Sequence, residues 1–135
     1  MIVLDASIAI KWLVVDEPGR DAALRVLAEI EKSPEQYAVP ELFFNEVVAV
    51  LCQRTTADAQ TIQGHVRAIE QLGLQRIGNG HEVLETAVTL ARAWSVSGYD
   101  AIYLATAEHL HCAWLTADKQ AAKKVRRPRL VKVLA

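Results

Sequence analysis

The sequence predicts an α/β fold, with a central, mainly parallel sheet of five strands flanked by helices. Short apolar segments alternate with longer segments whose apolar residues recur at helical spacing, and this alternation is typical of parallel sheets. A length of 135 residues and a hydrophobic content of 52% suit one compact domain. We therefore expect a single domain over residues 1–135. Aromatic residues make up only 6% of the chain, which predicts an aliphatic core.

Five apolar segments are expected to form the strands. The first begins directly after Met1, and the second is closed by Pro40. The third lies between Gly73 and Gly78, which favour turns. The expected strands are 2–4, 37–39, 74–77, 113–115 and 130–134.

The segments between the strands have the spacing of amphipathic or buried helices. A turn at Pro18 and Gly19 precedes the second helix, and the fifth helix ends before Gly98. Segment 100–111 is apolar nearly all round, which indicates a buried helix. The expected helices are 7–14, 20–30, 41–54, 58–72, 81–97, 100–111 and 118–125.

Charge and cysteine content argue against several classes of protein. The formal net charge is −1, so nucleic-acid binding would need a local basic patch. Cys52 and Cys112 form no zinc-binding pattern and are expected to be buried free thiols, which suits a reducing cytoplasm. We see neither a signal peptide nor an apolar segment long enough to cross a membrane. We expect a soluble cytoplasmic protein.

Two acids follow strands of the predicted sheet. Asp5 comes directly after the first strand, and Asp118 comes three residues after the strand 113–115. Ligands of parallel sheets bind outside the carboxyl ends of the strands, so neighbouring strands would bring both carboxylates into one cleft. Each Asp, and Asp100 as well, also precedes a helix. Capping of that helix is therefore a sufficient role for each of them alone.

Two further acids lie in strongly apolar helices. Glu46 falls within the expected core face of helix 41–54, between Leu42 and Val50, and no basic residue follows until Arg54. Asp100 begins the most apolar helix, without a nearby counter-charge. A buried carboxylate is costly unless it is paired or bound to a cation.

Four converging acids would repel one another, and a bound divalent cation would relieve that repulsion. Mg²⁺ and Mn²⁺ prefer carboxylate and water oxygens, whereas zinc prefers His and Cys. The four acids therefore predict a Mg²⁺ (or Mn²⁺) site, and the usual chemistry of such a site is phosphoryl transfer or hydrolysis.

Four stretches of the chain, in this order, resemble the motifs of the PIN domain family, and most closely those of the VapC-type ribonuclease toxins of type II toxin–antitoxin systems. VLDASIAIKWL resembles the first motif, PELFFNEVVAVL the second, SGYDAIYLATAEHL the third and LTADKQAAKKV the fourth. The resemblance extends over the whole chain. The acids that match the family's acidic positions are Asp5, Glu46, Asp100 and Asp118.

The resemblance implies a Mg²⁺- or Mn²⁺-dependent endoribonuclease that forms a homodimer and is neutralised by a small cognate VapB-type antitoxin. It implies that the four acids are both the catalytic residues and the metal ligands. We expect Asp5 and Asp100 to be the most direct ligands, because they are short carboxylates at rigid element ends, and Glu46 and Asp118 to complete the site directly or through water. Ser7 and Thr116 would support them by hydrogen bonding to a water or the scissile phosphate, although helix capping explains both hydroxyls equally well.

Basic residues suggest how RNA or a partner protein would be bound. Lys11 and Lys119 are candidate contacts to the RNA backbone. A C-terminal basic cluster could bind RNA, bind an acidic part of the antitoxin, or form a solvated edge; its members are Lys123, Lys124, Arg126, Arg127 and Arg129. Trp12 and Leu13, with the helix 20–30, are candidates for a hydrophobic groove that takes a partner helix.

The alternative function is a catalytically silent PIN-like module that binds RNA or protein without cutting it. Loss of an acid would mark such a module, and all four acids are present. Phosphoryl-transfer enzymes with an Asp nucleophile are disfavoured: haloacid-dehalogenase-like enzymes require a second Asp where this chain has Ser7.

Overall fold

The computed structural model describes all residues, 1–135, and its five strands form one sheet. The strands are β1 (Ile2–Leu4), β2 (Tyr37–Pro40), β3 (Gln75–Ile77), β4 (Ala113–Thr116) and β5 (Val131–Val133). Their order in the sheet is β3-β2-β1-β4-β5, and every neighbouring pair is parallel. The predicted α/β fold is therefore confirmed, with a sheet that is parallel throughout.

All seven predicted helices are present, and their ends differ slightly from the prediction. The helices are α1 (Ala6–Leu13), α2 (Arg20–Lys32), α3 (Glu41–Arg54), α4 (Ala59–Glu70), α5 (His81–Trp94), α6 (Gly98–His109) and α7 (Lys119–Lys124). The largest difference is at the end of α5, where Ser95 adopts a left-handed backbone with φ of 55°. Ser97, expected to end α5, instead caps α6 by accepting a hydrogen bond from the Asp100 amide at 3.0 Å. No helix combines the length and the apolar character that crossing a membrane requires.

The hydrophobic core lies between the sheet and the helices, and it is less aliphatic than predicted. The three largest fully buried side chains are those of Trp114, Tyr103 and Phe43. Aromatic residues are few in the chain, but several of them lie at its centre. The rings of Tyr103 and Trp114 stack with their centroids 5.7 Å apart and their planes 20° apart.

Three predictions about side-chain exposure are wrong. Cys52 is exposed because it lies outside the buried face of α3, and Cys112 is partly exposed in the turn between α6 and β4. Trp12 cannot line a groove for a partner, because its ring is buried in the core and its Nε1 donates to the carbonyl oxygen of Ala23 at 2.8 Å.

The position of β1 beside β4 brings the acid-bearing loops together. Leu4 pairs with Leu115, and the amide of Asp5 donates to the carbonyl oxygen of Leu115 at 3.0 Å. Both strands therefore end at the same edge of the sheet, where α1 and α7 begin. Asp5 and Asp118 therefore follow neighbouring strands, which is the condition under which the sequence places both carboxylates in one cleft.

Candidate active site

A cleft of about 260 Å³ opens at the carboxyl ends of the central strands, and all four predicted acids line it. Its charged lining residues are Asp5, Lys11, Glu17, Glu46, Arg54, Asp100 and Asp118. Ser7 also lines this cleft. Thr116 lies behind it, and Lys119 instead borders a separate hollow near the C-terminus.

Asp5 is the most buried of the four acids, with only 8% of its surface exposed. It caps α1 by accepting a hydrogen bond from the Ser7 amide at 3.1 Å, so the capping role is real. The Trp114 indole donates to its Oδ1 at 3.1 Å, and the Thr116 hydroxyl donates to its Oδ2 at 3.3 Å. Burial raises the pKa of Asp5, while these hydrogen bonds oppose the rise.

Glu46 lies at the edge of the buried face of α3 rather than within it. Phe43 and Val47 are fully buried, whereas Leu42 and Val50 are only partly so. The Tyr103 hydroxyl donates to the Glu46 Oε1 at 2.7 Å. Burial, with repulsion from the other carboxylates of the cleft, raises the pKa of Glu46.

The stacked Tyr103 and Trp114 rings hold two of the acids from behind. Trp114 donates to Asp5 and Tyr103 donates to Glu46, so one aromatic pair in the core fixes both carboxylates. Burial raises the pKa of Tyr103, so its hydroxyl stays protonated and donates. Sequence reasoning missed both residues. A signal for Trp114 was available in the sequence: Trp114 and Thr116 are two residues apart on β4 and so lie on the same face of the strand, the face that contacts Asp5.

Asp100 and Asp118 complete the set of acids. Asp100 is half-buried in the first turn of α6, and its pKa is raised by burial and by repulsion from Asp5. Asp118 is exposed and caps α7, accepting hydrogen bonds from the amides of Gln120 and Ala121 at 3.0 Å. Both bonds end on Oδ1, so Oδ2 has no donor within the protein.

The two predicted hydroxyls bind protein groups. Ser7 Oγ accepts a hydrogen bond from the Ala117 amide at 3.1 Å, which ties α1 to the end of β4. Thr116 Oγ1 accepts one from the Asp118 amide at 3.1 Å while it donates to Asp5. Both hydroxyls thus fix the two loops that carry Asp5 and Asp118.

Basic residues form no ion pair with the four acids, although Lys11 and Arg54 line the same cleft. None of the eight ion pairs in the structure includes Asp5, Glu46, Asp100 or Asp118. The C-terminal basic cluster does not line the cleft. Its Arg127 pairs with Glu108 at 2.9 Å, and only Lys124 is close enough to lower the pKa of Asp100 slightly. The sequence did not indicate that Glu17 and Arg54 line the cleft, because the two residues are 37 positions apart and no pattern places them beside each other.

The chemistry of the donor set fits a hard divalent cation. All four acids are carboxylates, and no His or Cys lines the cleft. As the side chains stand, no three of them are close enough to form a ready-made metal cage. Mg²⁺ keeps several of its waters and binds proteins through one or two carboxylates, so a wide carboxylate cleft suits it.

Comparison with known proteins identifies the fold. The family model of the PIN domain matches residues 2–127. The chain is similar to a toxin–antitoxin complex from Klebsiella pneumoniae, at 20% identity and a TM-score of 0.69, with 98% of this chain and 97% of that chain covered. It is also similar to FitAcB from Neisseria gonorrhoeae, at 14% identity and a TM-score of 0.72, with 97% and 96% covered.

A third similar structure is VapBC2 from Rickettsia felis bound to a DNA fragment from their promoter. Identity is 10%, the TM-score is 0.74, and both chains are covered completely, at 100%. At such identities the likeness shows the fold alone. No curated protein matches the chain.

Replacing Asp100 by Asn is expected to stabilise the metal-free protein at neutral pH by roughly 0.5–1 kcal/mol, a small gain because solvent screens the half-exposed carboxylate. The pKa of Asp100 is above its ordinary 3.8 in the folded chain, so the folded state binds more protons than the unfolded state. The free energy of unfolding of the parent protein therefore falls as the pH rises from about 4 through the raised pKa of Asp100. The gain from Asp100→Asn should be full above that pKa and vanish below about pH 4. Urea unfolding in EDTA at several pH values measures the gain.

Asp21→Asn is the matched control, because Asp21 occupies the first turn of α2, is exposed and does not line the cleft. It should give no comparable gain. Equal effects of the two substitutions would show that charge crowding in the cleft does not destabilise the fold.

Proposed function

Because the chain belongs to the PIN domain family, we propose that it is a divalent-metal-dependent endoribonuclease and the toxin of a type II toxin–antitoxin pair. One observation supports this most directly: four carboxylates from four separate segments line one cleft, and no basic residue neutralises any of them. A structural role alone would favour pairing the buried and half-buried acids among them, Asp5, Glu46 and Asp100, with Lys or Arg. Left unpaired, they form a site for a cation.

Asp5 and Asp100 are the proposed direct ligands of Mg²⁺ or Mn²⁺, and Glu46 and Asp118 complete the site directly or through water. Both Asp5 and Asp100 are short side chains at the rigid ends of secondary-structure elements. When bound, the metal lowers the pKa of a coordinated water and stabilises charge on the phosphate. Hydrolysis of the RNA phosphodiester would then leave a 5′-phosphate and a 3′-hydroxyl.

The protein supplies orientation at this site. Trp114 donates a hydrogen bond to one oxygen of Asp5 and Thr116 donates to the other, while Tyr103 donates to one oxygen of Glu46. These hydrogen bonds fix the orientation of both carboxylates and so the direction of their remaining lone pairs. Such outer hydrogen bonds fix ligand geometry in metal sites. Lys11 lines the same cleft and is the proposed contact to the RNA backbone beside the acids.

The proposed partners are RNA, a small VapB-type antitoxin and a second copy of the chain. The antitoxin partner is supported by solved structures of the same fold, which come from a toxin–antitoxin complex and from VapBC2. The four acids also form the negatively charged pocket that a basic side chain of an antitoxin would fill.

Asp5→Asn is expected to abolish cleavage of total cellular RNA in the presence of Mg²⁺ or Mn²⁺. Asn keeps the shape and the capping oxygen of Asp5 but loses the charge that would hold the cation, and its NH2 group would face the indole N–H of Trp114 at the cost of one hydrogen bond. Gel analysis of the purified, antitoxin-free protein measures this, with EDTA as the metal-free arm. Circular dichroism should show an unchanged fold.

Asp21→Asn serves again as the control and should cleave like the parent, because Asp21 lies outside the cleft. Cleavage by Asp5→Asn at the parental rate would refute the assignment. Absence of cleavage by the folded parent would favour the catalytically silent binding module.

Tyr103→Phe is expected to weaken Mn²⁺ binding about 10- to 100-fold, the usual effect of losing an outer hydrogen bond to a metal ligand. The substitution removes only the hydroxyl that donates to Glu46 and keeps the ring that stacks on Trp114. Isothermal titration with Mn²⁺ measures the change.

Tyr99→Phe is the control, because Tyr99 is 66% exposed and makes no hydrogen bond within the protein through its hydroxyl. Unchanged Mn²⁺ affinity in Tyr103→Phe would show that Glu46 does not need this hydroxyl to bind the metal.

A further inference from the structure

Two basic side chains line the cleft, and a single acid holds both. Lys11 lies on α1 and Arg54 at the end of α3, while Glu17 lies in the loop between α1 and α2. Lys11 Nζ is 3.4 Å from Glu17 Oε2, and Arg54 Nη2 donates to Glu17 Oε1. Glu17 therefore uses one carboxylate oxygen for each cation.

This arrangement is more enclosed than an ordinary surface ion pair. The Lys11 and Glu17 side chains are only 13% and 14% exposed, and Arg54 is 49% exposed. The hydrogen bond from Arg54 lowers the pKa of Glu17, so Glu17 stays ionised. Lys11 is anchored further, because its Nζ also donates to the carbonyl oxygen of Pro18.

The pairing keeps both cations away from the four acids. Five acids and two cations share one cleft, yet both cations pair with Glu17 alone. On α3, Glu46, Val50 and Arg54 follow one another at a spacing of four residues and so lie along one side of the helix. Arg54 thus lies two helical turns from Glu46, along the same cleft.

Both cations retain donors for another acceptor. Arg54 uses only Nη2 within the protein, so its Nε and Nη1 are free to donate. Lys11 uses two of its three donors, on Glu17 and Pro18. The cations are therefore fixed in position and still able to bind an anion that enters the cleft.

We infer that Lys11 and Arg54 form a phosphate-binding pair for the RNA backbone, and that Glu17 positions the pair while preventing it from neutralising the metal-binding carboxylates. This inference rests on the proposed nuclease function and adds Arg54 and Glu17 to it. Phosphates flanking the scissile bond would lie on the pair, at the α3 end of the cleft. Arginine suits this role because its planar donors match phosphate oxygens.

The test of the phosphate-binding pair is the salt dependence of RNA binding in an Asp5→Asn background, which keeps the RNA intact. Binding of a fluorescein-labelled oligouridylate is measured by anisotropy over a range of KCl concentrations at one fixed Mg²⁺ concentration. Arg54→Gln should weaken binding and lower the slope of log K against log[salt] by up to about 0.7, the value for one lost contact to a single strand. Lys11→Gln should act in the same way.

Arg67→Gln is the matched control. Arg67 is exposed on α4, forms no ion pair and lines a different hollow, beside Val48 and Cys52. Arg67→Gln removes the same charge as Arg54→Gln and should leave the slope of log K against log[salt] unchanged. If Arg54→Gln and Arg67→Gln give the same slope, Arg54 does not contact phosphate and the inference is overturned, even where the parent cleaves RNA in a metal-dependent way.

The role of Glu17 is tested by a double-mutant cycle on Mn²⁺ affinity. Glu17→Gln frees Arg54 and Lys11 to pair with the metal-binding carboxylates, so Mn²⁺ binding should weaken several-fold. In the Arg54→Gln background one competing cation is gone, and Glu17→Gln should cost clearly less. An equal cost in both backgrounds would show that Glu17 acts through its own charge and not by holding Arg54.

Discussion

Burial of carboxylates that have no basic partner in one cleft is the constraint on which the rest of this structure depends. Three of them, Asp5, Glu46 and Asp100, have raised pKa values, with burial as the first cause. A fold that holds them together without basic partners gives up stability in the metal-free state. The surrounding structure supplies hydrogen bonds that orient these acids and none that neutralise them.

The aromatic pair at the centre of the core links packing to the site. Trp114 and Tyr103 are fully buried and stacked, and each uses its only polar group on a carboxylate of the cleft. Rings locked by core packing are rigid supports, because neither can rotate without opening a cavity. The same two residues therefore contribute to the core and to the geometry of the site.

Much of the fold and part of the site could be predicted from the sequence. Short apolar segments predicted the five strands, and apolar residues at helical spacing predicted the seven α-helices. Because β1 and β4 are neighbours, Asp5 and Asp118 lie at the same edge of the sheet. The contacts behind the acids could not be predicted, because they join residues far apart in the chain. Trp114 and Asp5 are separated by 109 positions, and Tyr103 and Glu46 by 57. Glu17 lies in a loop, where no periodicity indicates which way a side chain points.

Anomalous diffraction from crystals of the parent protein soaked in Mn²⁺, with Asp5→Asn crystals treated in the same way, would show whether the four acids hold a cation. We expect a peak in the cleft, bound by the Asp5 and Asp100 carboxylates and absent from the variant. A parent cleft without a peak, or a peak that persists unchanged in Asp5→Asn, would contradict the claim that these acids exist to hold a divalent cation.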